Sequence, residues 1–110
     1  MSQALHRLFV YGSLAPGRSN EHVLQPFIGS WQKATVKGKL FDGGWGSALG
    51  YPGLKLDYND RVSGFLFESK DLPKFWQHLD EFEGESYQRV EVTVTLEDQS
   101  QLKAWTYVLV

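Results

Sequence analysis

Hydrophobic residues recur at helical spacing in one part of the chain and alternate with polar residues in most of the rest. Leu72, Phe75, Trp76 and Leu79 follow the i, i+3, i+4, i+7 spacing that places apolar side chains on one face of a helix. This is the clearest helical pattern in the sequence, and it predicts an amphipathic helix that ends near Gly84, because glycine commonly terminates helices.

The spacing of the other hydrophobic residues is typical of β-strands. Strands are predicted at residues 8–11, 34–40, 62–67, 90–96 and 102–110. The first of these is a continuous apolar run, as in a strand covered on both faces, and the third is predicted to be another buried strand. The other three alternate apolar and polar positions, and the last two are separated by a short polar turn. They are therefore predicted to form a hairpin.

The connections between these segments complete a predicted topology. Residues 19–27 favour a brief first helix, and residues 42–53 form a long glycine-rich loop between two strands. The resulting order is β-α-β-β-α-β-β. We therefore expect an α+β fold with two helices and a small mixed sheet that is curled or barrel-like. Its 110 residues predict one domain, residues 1–110.

Composition narrows the classes of function. The formal net charge of -2 provides no long-range attraction for nucleic acid or anionic lipid. No apolar run is long enough to span a bilayer, and residues 1–7 lack the features of a signal peptide. The chain has no cysteine, which excludes a disulfide framework and a cysteine nucleophile. We expect a cytoplasmic protein that binds neither membranes nor nucleic acid.

Glu83 is the first candidate for chemistry. At roughly 100° per residue, it falls on the same helix face as Leu79, whereas Glu81 points away and Asp80 and Glu81 are expected to stay in solvent. Burial and the negative end of the helix dipole would both raise the pKa of Glu83, as a general base near neutral pH requires. The alternative is that the helix frays earlier and that Glu83 is a solvated loop residue.

The second candidate is the backbone of the turn that follows the first strand. Its residues are Tyr11, Gly12, Ser13 and Leu14, and successive N–H groups in such a turn can form an anion-binding nest. The glycines match neither a phosphate-binding loop nor a Gly-x-Ser-x-Gly elbow. The three histidines share no ligand-like spacing, so the sequence predicts no metal site.

Two stretches at opposite ends of the chain resemble one family. Residues 9–14, Phe-Val-Tyr-Gly-Ser-Leu, are similar to the Tyr-Gly-Ser/Thr-Leu signature of the gamma-glutamylcyclotransferase-like family. Residues 79–84, Leu-Asp-Glu-Phe-Glu-Gly, with Tyr87 and Arg89 after them, resemble its second signature, Leu-Asp-x-x-Glu-Gly followed by Tyr-x-Arg. Residues 51–53, Tyr-Pro-Gly, resemble the Tyr-Pro loop of its small members. The resemblance extends over nearly the whole chain.

The resemblance implies an enzyme that cleaves a gamma-glutamyl amide by attack of the substrate's own α-amine, releasing 5-oxoproline and an amine or amino acid. Glu83 matches the family's catalytic glutamate, which takes a proton from the α-amine and returns it to the leaving group. Tyr11, Gly12, Ser13 and Leu14 match its substrate-binding loop, and Tyr87 matches a tyrosine that lines the pocket. Neither a cofactor nor a metal is implied.

Several alternatives remain open at this point. A non-catalytic domain that binds a small amino-acid-like ligand would use the same turn. An adaptor with Trp45 and Tyr51 in an exposed patch is a second alternative. The leaving group is open among glutathione, gamma-glutamyl dipeptides, gamma-glutamylamines and a protein-linked gamma-glutamyl group. The protein is expected to be a monomer or a homodimer.

Overall fold

The computed structural model describes residues 6–11, 29–41, 53–85 and 87–109. Within these residues the chain forms one helix and the following strands: β1 (Arg7–Val10), β2 (Ser30–Phe41), β3 (Gly53–Glu68), β4 (Tyr87–Leu96) and β5 (Gln101–Leu109). The helix, α1 (Leu72–Glu83), lies between β3 and β4 in the chain. The predicted helix at residues 19–27 lies outside the described part of the chain.

The strands close into a barrel in the order β1-β3-β2-β4-β5. The pairs β1–β3, β2–β3, β2–β4 and β4–β5 are antiparallel, whereas β1 meets β5 in parallel. The sheet is therefore mixed and closed, which confirms the predicted barrel-like α+β architecture. The hairpin between β4 and β5 is also confirmed, with Leu96 N–H donating to Ser100 O at 2.9 Å.

Alternation along the strands fills the barrel interior. Ala34, Val36, Val92 and Val94 are buried there, whereas the lysines of β2 are exposed. Because successive strand residues face opposite sides of a sheet, this period-2 pattern is what selects the register. Thr106 is a buried polar residue of the interior, and its hydroxyl donates to Phe9 O at 2.9 Å. That hydrogen bond satisfies a group whose unpaired burial would be costly.

Helix α1 packs on the outer surface of the barrel. Leu72, Trp76 and Leu79 are buried against Leu8 and Tyr107, among other residues of β1, β3 and β5. Because α1 covers the outer side of β1, that strand is buried on both faces, which explains its continuous apolar run. No helix in the described ranges is long and apolar enough to cross a membrane.

Phe75 departs from the sequence prediction, because it is 40% exposed rather than buried. Leu72, Trp76 and Leu79 lie within a narrow arc of the helix, and Phe75 is displaced from Leu72 by roughly 60°. A convex barrel surface contacts only such a narrow arc. The helix periodicity identified the correct face but overestimated its width.

Strand β3 is longer than the sequence predicted, because residues 53–61 are also extended. Its pairing with β2 changes register between Arg61, which faces Lys37, and Leu56, which faces Gly38. Residues 57–60 are the excess that this irregularity accommodates, and these mostly polar residues lie before the buried segment from which the strand was predicted. Before the bulge, Leu54 pairs with Val108 of β5 as well as with β2. The start of β3 thus lies beside the end of β5.

The end of α1 depends on the backbone of Gly84. This residue has φ 83° and ψ −172°, and its N–H donates to Asp80 O at 3.1 Å. The helix therefore ends where the sequence predicted, and Gly84 combines a positive φ with an extended ψ. This region of φ and ψ is accessible essentially only to glycine.

Replacing Gly84 with alanine is therefore expected to destabilise the protein by about 1–3 kcal/mol. The cost is conformational, because an added Cβ would meet no atom within 4 Å. Denaturant unfolding of Gly84→Ala would measure it. Glu85→Ala is the control, since Glu85 is exposed and the free energy of unfolding should change by less than about 0.5 kcal/mol. Equal stability of the two variants would contradict the prediction.

Candidate functional site

Glu83 is the last residue of α1 and lies near the centre of the buried arc that contains Leu79 and Trp76. It is half-buried, whereas Glu81 is exposed, as the helical periodicity predicted. Burial raises the pKa of Glu83 from its ordinary value of 4.5 to about 7. The helix thus continues through Glu83, and the alternative of a solvated loop residue is excluded.

Three tyrosines lie close enough to this carboxyl group for its charge to raise their pKa values. Tyr11 follows β1, Tyr87 begins β4, and Tyr107 belongs to β5. The pKa of each phenol is raised, mainly by burial and additionally by the nearby charge of Glu83. The carboxyl group therefore sits among aromatic rings at one end of the barrel.

The hydroxyl of Tyr11 connects the ends of two further strands. It donates to Tyr107 O at 2.6 Å and accepts from Leu54 N–H at 3.1 Å. A phenol carries one O–H donor, so the only donor of Tyr11 is used within the protein. Tyr11 fixes the end of β1 against the start of β3 and the end of β5.

A cluster that the sequence analysis did not identify lies beside Glu83. Asp80 accepts hydrogen bonds from Arg89 Nε at 2.8 Å, Arg89 Nη2 at 3.3 Å and the Tyr107 hydroxyl at 2.7 Å. Asp80 was expected to stay in solvent. Its side chain is still 42% exposed, but it is bound on its inner side by β4 and β5. Arg89 in the Tyr-x-Arg stretch was the sequence signal for this pairing.

Arg89 lies between two indole rings. Its guanidinium carbon is 4.6 Å from the ring centroid of Trp76 on α1 and 4.8 Å from that of Trp105 on β5. These cation–π contacts and the two-pronged hydrogen bond to Asp80 hold the guanidinium in one orientation. Partial burial by itself raises the pKa of Asp80, but hydrogen bonds from Arg89 and Tyr107 lower it overall.

Three of the predicted site residues lie within the described part of the chain. Glu83, Tyr11 and Tyr87, which are distant in the sequence, lie together at one end of the barrel. Gly12, Ser13 and Leu14 lie outside the described residues. The same is true of Trp45 and Tyr51, on which the adaptor alternative depended. Among residues 6–11, 29–41, 53–85 and 87–109, no acidic or histidine cluster is arranged to hold a metal ion.

A half-buried carboxyl group with a pKa near 7 is suited to exchanging protons with a bound molecule at neutral pH. The surrounding phenols offer hydrogen bonds to such a molecule. The arrangement is that of a small barrel with an acid–base group at one end, supported by a charge-compensated pair on the same helix.

Comparison with known proteins agrees with this description. The model of the family described as gamma-glutamyl cyclotransferase, AIG2-like, matches residues 8–110. The chain belongs to this family. It is 35% identical over 107 residues to a protein of Niallia circulans named gamma-L-glutamyl-butirosin B gamma-glutamyl cyclotransferase. That alignment covers 92% of this chain but 65% of the relative, so the chain is shorter than the protein it matches.

Solved structures show the same fold. The solution structure of an Arabidopsis thaliana protein has a TM-score of 0.73 at 26% identity, covering 96% of this chain and 68% of that one. The crystal structure of YkqA from Bacillus subtilis has a TM-score of 0.72 at 27% identity, covering 94% of this chain and 35% of that one. Both of these proteins therefore share the barrel with its packed helix.

The burial of Glu83 predicts a pH dependence of stability. Below pH 4.5 the carboxyl group is protonated in both the folded and the unfolded state. As the pH rises from 4.5 to about 7, the unfolded chain loses this proton first, so the free energy of unfolding falls. The full cost above pH 7 is on the order of 3 kcal/mol.

Glu83→Gln should remove this cost, because glutamine stays neutral. We expect the variant to unfold at higher denaturant than the wild type at pH 8 and at nearly the same concentration at pH 4. Glu81→Gln, on the exposed side of the same turn, is the control. Its free energy of unfolding should match that of the wild type within about 0.5 kcal/mol at both pH 4 and pH 8. If the free energy of unfolding of Glu83→Gln changed between pH 4 and pH 8 by the same amount as that of Glu81→Gln, Glu83 would not be buried.

Proposed function

We propose that this protein is a gamma-glutamyl cyclotransferase with Glu83 as its general acid and base. The observation that carries the proposal is the half-buried Glu83 carboxyl group, with a pKa of about 7, among Tyr11, Tyr87 and Tyr107. This carboxyl group occupies the glutamate position of the family's second signature. Membership of the family supports an enzyme of this type.

The proposed reaction needs one proton carrier and no outside nucleophile. The α-amino nitrogen of the substrate attacks its own γ-carbonyl carbon, and a new carbon–nitrogen bond closes the five-membered ring. Glu83 takes the proton that the attacking amine loses and gives it to the leaving nitrogen as the original amide bond breaks. The products are 5-oxoproline and a free amine. Because attack occurs within one molecule, correct folding of the substrate supplies much of the acceleration.

The tyrosines have different roles in this proposal. The Tyr11 hydroxyl donates its hydrogen bond to Tyr107 O. Toward the substrate it therefore acts only as a hydrogen-bond acceptor, for instance from the α-amine. Tyr87, whose pKa is raised by burial and by the charge of Glu83, would donate to the substrate. The backbone N–H groups of Gly12, Ser13 and Leu14 would bind the α-carboxylate or the developing oxyanion, as the resemblance implies.

The leaving group is the part of the substrate that the barrel end does not define. The relative from Niallia circulans is named for a gamma-glutamyl group on butirosin B, so this compound joins the candidates already given. All of these candidate substrates contain the gamma-glutamyl group, whose α-amine and γ-carbonyl react with each other.

Release of 5-oxoproline by the purified protein tests the proposal. The substrates are glutathione, gamma-glutamyl dipeptides, gamma-glutamylamines, a protein-linked gamma-glutamyl group and gamma-L-glutamyl-butirosin B. Glu83→Gln should lower kcat by roughly 10²–10⁴-fold, since it removes the proton carrier. Glu81→Gln is the matched control and should retain full activity.

Two outcomes would overturn the proposal. Turnover that survives in Glu83→Gln would remove Glu83 from the mechanism. A wild-type protein that binds a gamma-glutamyl compound with no turnover on the whole panel would be the non-catalytic binding domain.

The pH profile gives an independent check of the base. Glu83 must be ionised to accept a proton, so kcat/KM should rise with pH and level off above an acid limb centred at about 7. Rates measured between pH 5 and 9 at low substrate concentration would define this limb for the free enzyme. A limb centred near 4.5, the ordinary glutamate value, would exclude a buried base.

A further inference from the structure

The candidate site has two halves, the last turn of α1 with Glu83 and the end of β1 with Tyr11. Tyr107 forms a hydrogen bond with each half, through two different groups. Its side-chain hydroxyl donates to Asp80 Oδ1 at 2.7 Å, on the helix that carries Glu83. Its backbone carbonyl accepts from the Tyr11 hydroxyl at 2.6 Å, at the end of β1. Tyr107 itself is only 4% exposed, so neither bond competes freely with water.

The bond to Asp80 bears on the orientation of Glu83. These residues are three positions apart, so their side chains leave the helix about 60° from each other and one turn apart. Asp80 is held from two strands, by Arg89 of β4 and Tyr107 of β5. A fixed Asp80 therefore sets the rotation of the final helical turn and, with it, the direction of the Glu83 side chain.

The bond to Tyr11 bears on the other half of the site. Tyr11 is the first residue of the predicted substrate-binding loop, and its hydroxyl is held between the Tyr107 carbonyl and the Leu54 N–H. Since the carbonyl and the phenol of Tyr107 belong to one residue of a paired strand, the two halves share a single anchor in β5.

We propose that Tyr107 is a positioning residue that aligns Glu83 with the end of β1, acting through Asp80 on one side and Tyr11 on the other. The proposal rests on the function proposed above. Tyr107 does not take part in proton transfer, because its hydroxyl donates a hydrogen bond to Asp80. Its role is to fix the positions of Glu83 and Tyr11.

Tyr107→Phe is the variant that isolates this role. It removes the hydrogen bond to Asp80 and keeps the ring, the backbone carbonyl and the Arg89–Asp80 pair. We expect kcat to fall by roughly 10- to 100-fold with little change in KM, because a misaligned base slows the chemical step more than it weakens binding.

A carboxyl titration by NMR measures the same effect without turnover. The groups that face Glu83 are Tyr11 from β1, Tyr87 from β4 and Tyr107 from β5, with Asp80 on its own helix. In Tyr107→Phe the loosened final turn should admit water to Glu83, and its pKa should move from about 7 toward 4.5.

The control is Arg7→Lys. Arg7 Nε pairs with Glu68 at 3.0 Å at the far end of β1, so this ion pair also joins strands but lies about 13 Å along the strand from Tyr11. Arg7→Lys should lower the melting temperature and leave both kcat and the Glu83 titration unchanged.

The readouts separate this proposal from the proposed function. If Tyr107→Phe lowers the melting temperature but leaves kcat and the titration of Glu83 at their wild-type values, Tyr107 is merely structural and the proposal is overturned. If the wild type has no turnover, the proposed function fails, and the shift in the titration still decides whether Tyr107 positions Glu83.

Discussion

The attachment of the last turn of α1 to β4 and β5 is the interaction on which the candidate site depends. Two carboxylates, Asp80 and Glu83, lie at a helix C-terminus, where the dipole disfavours negative charge. Arg89 and Tyr107 compensate the first, and its pKa falls, whereas burial raises the pKa of the second. Neighbouring carboxyl groups with oppositely shifted pKa values are a common arrangement in acid–base sites.

The barrel makes this arrangement possible because β1 is short and covered on both faces. The strand ends at Val10, so Tyr11 reaches the neighbouring strand ends with its hydroxyl. The bulge at residues 57–60 changes the register of β3, whose first residues lie beside β5. The end of β1, the start of β3 and the end of β5 therefore lie together. Glu83, at the end of α1, lies at this same end of the barrel.

The same fold occurs in relatives with low sequence identity, since alternation in the strands and one apolar helix arc are weak demands on residue identity. Chemistry is more demanding, because it needs particular groups at particular positions. In this chain the proposed groups are Glu83 and its neighbouring tyrosines, and the Asp80–Arg89 pair holds the last turn of α1, which carries Glu83, against β4. Fold and site thus depend on partly different subsets of the sequence, with Tyr107 belonging to both.

The sequence by itself determined the approximate positions of the described strands, the end of α1 near Gly84 and the inward direction of Glu83, because each follows from periodicity or local backbone preference. The tertiary structure alone decided the partners of Asp80, the doubly bonded Tyr11 hydroxyl, the exposure of Phe75 and the bulge in β3. Tyr11 and Tyr107 are 96 positions apart, and no local pattern specifies such a contact. Long-range partners arise only when the barrel closes, since closure determines which strand ends become neighbours.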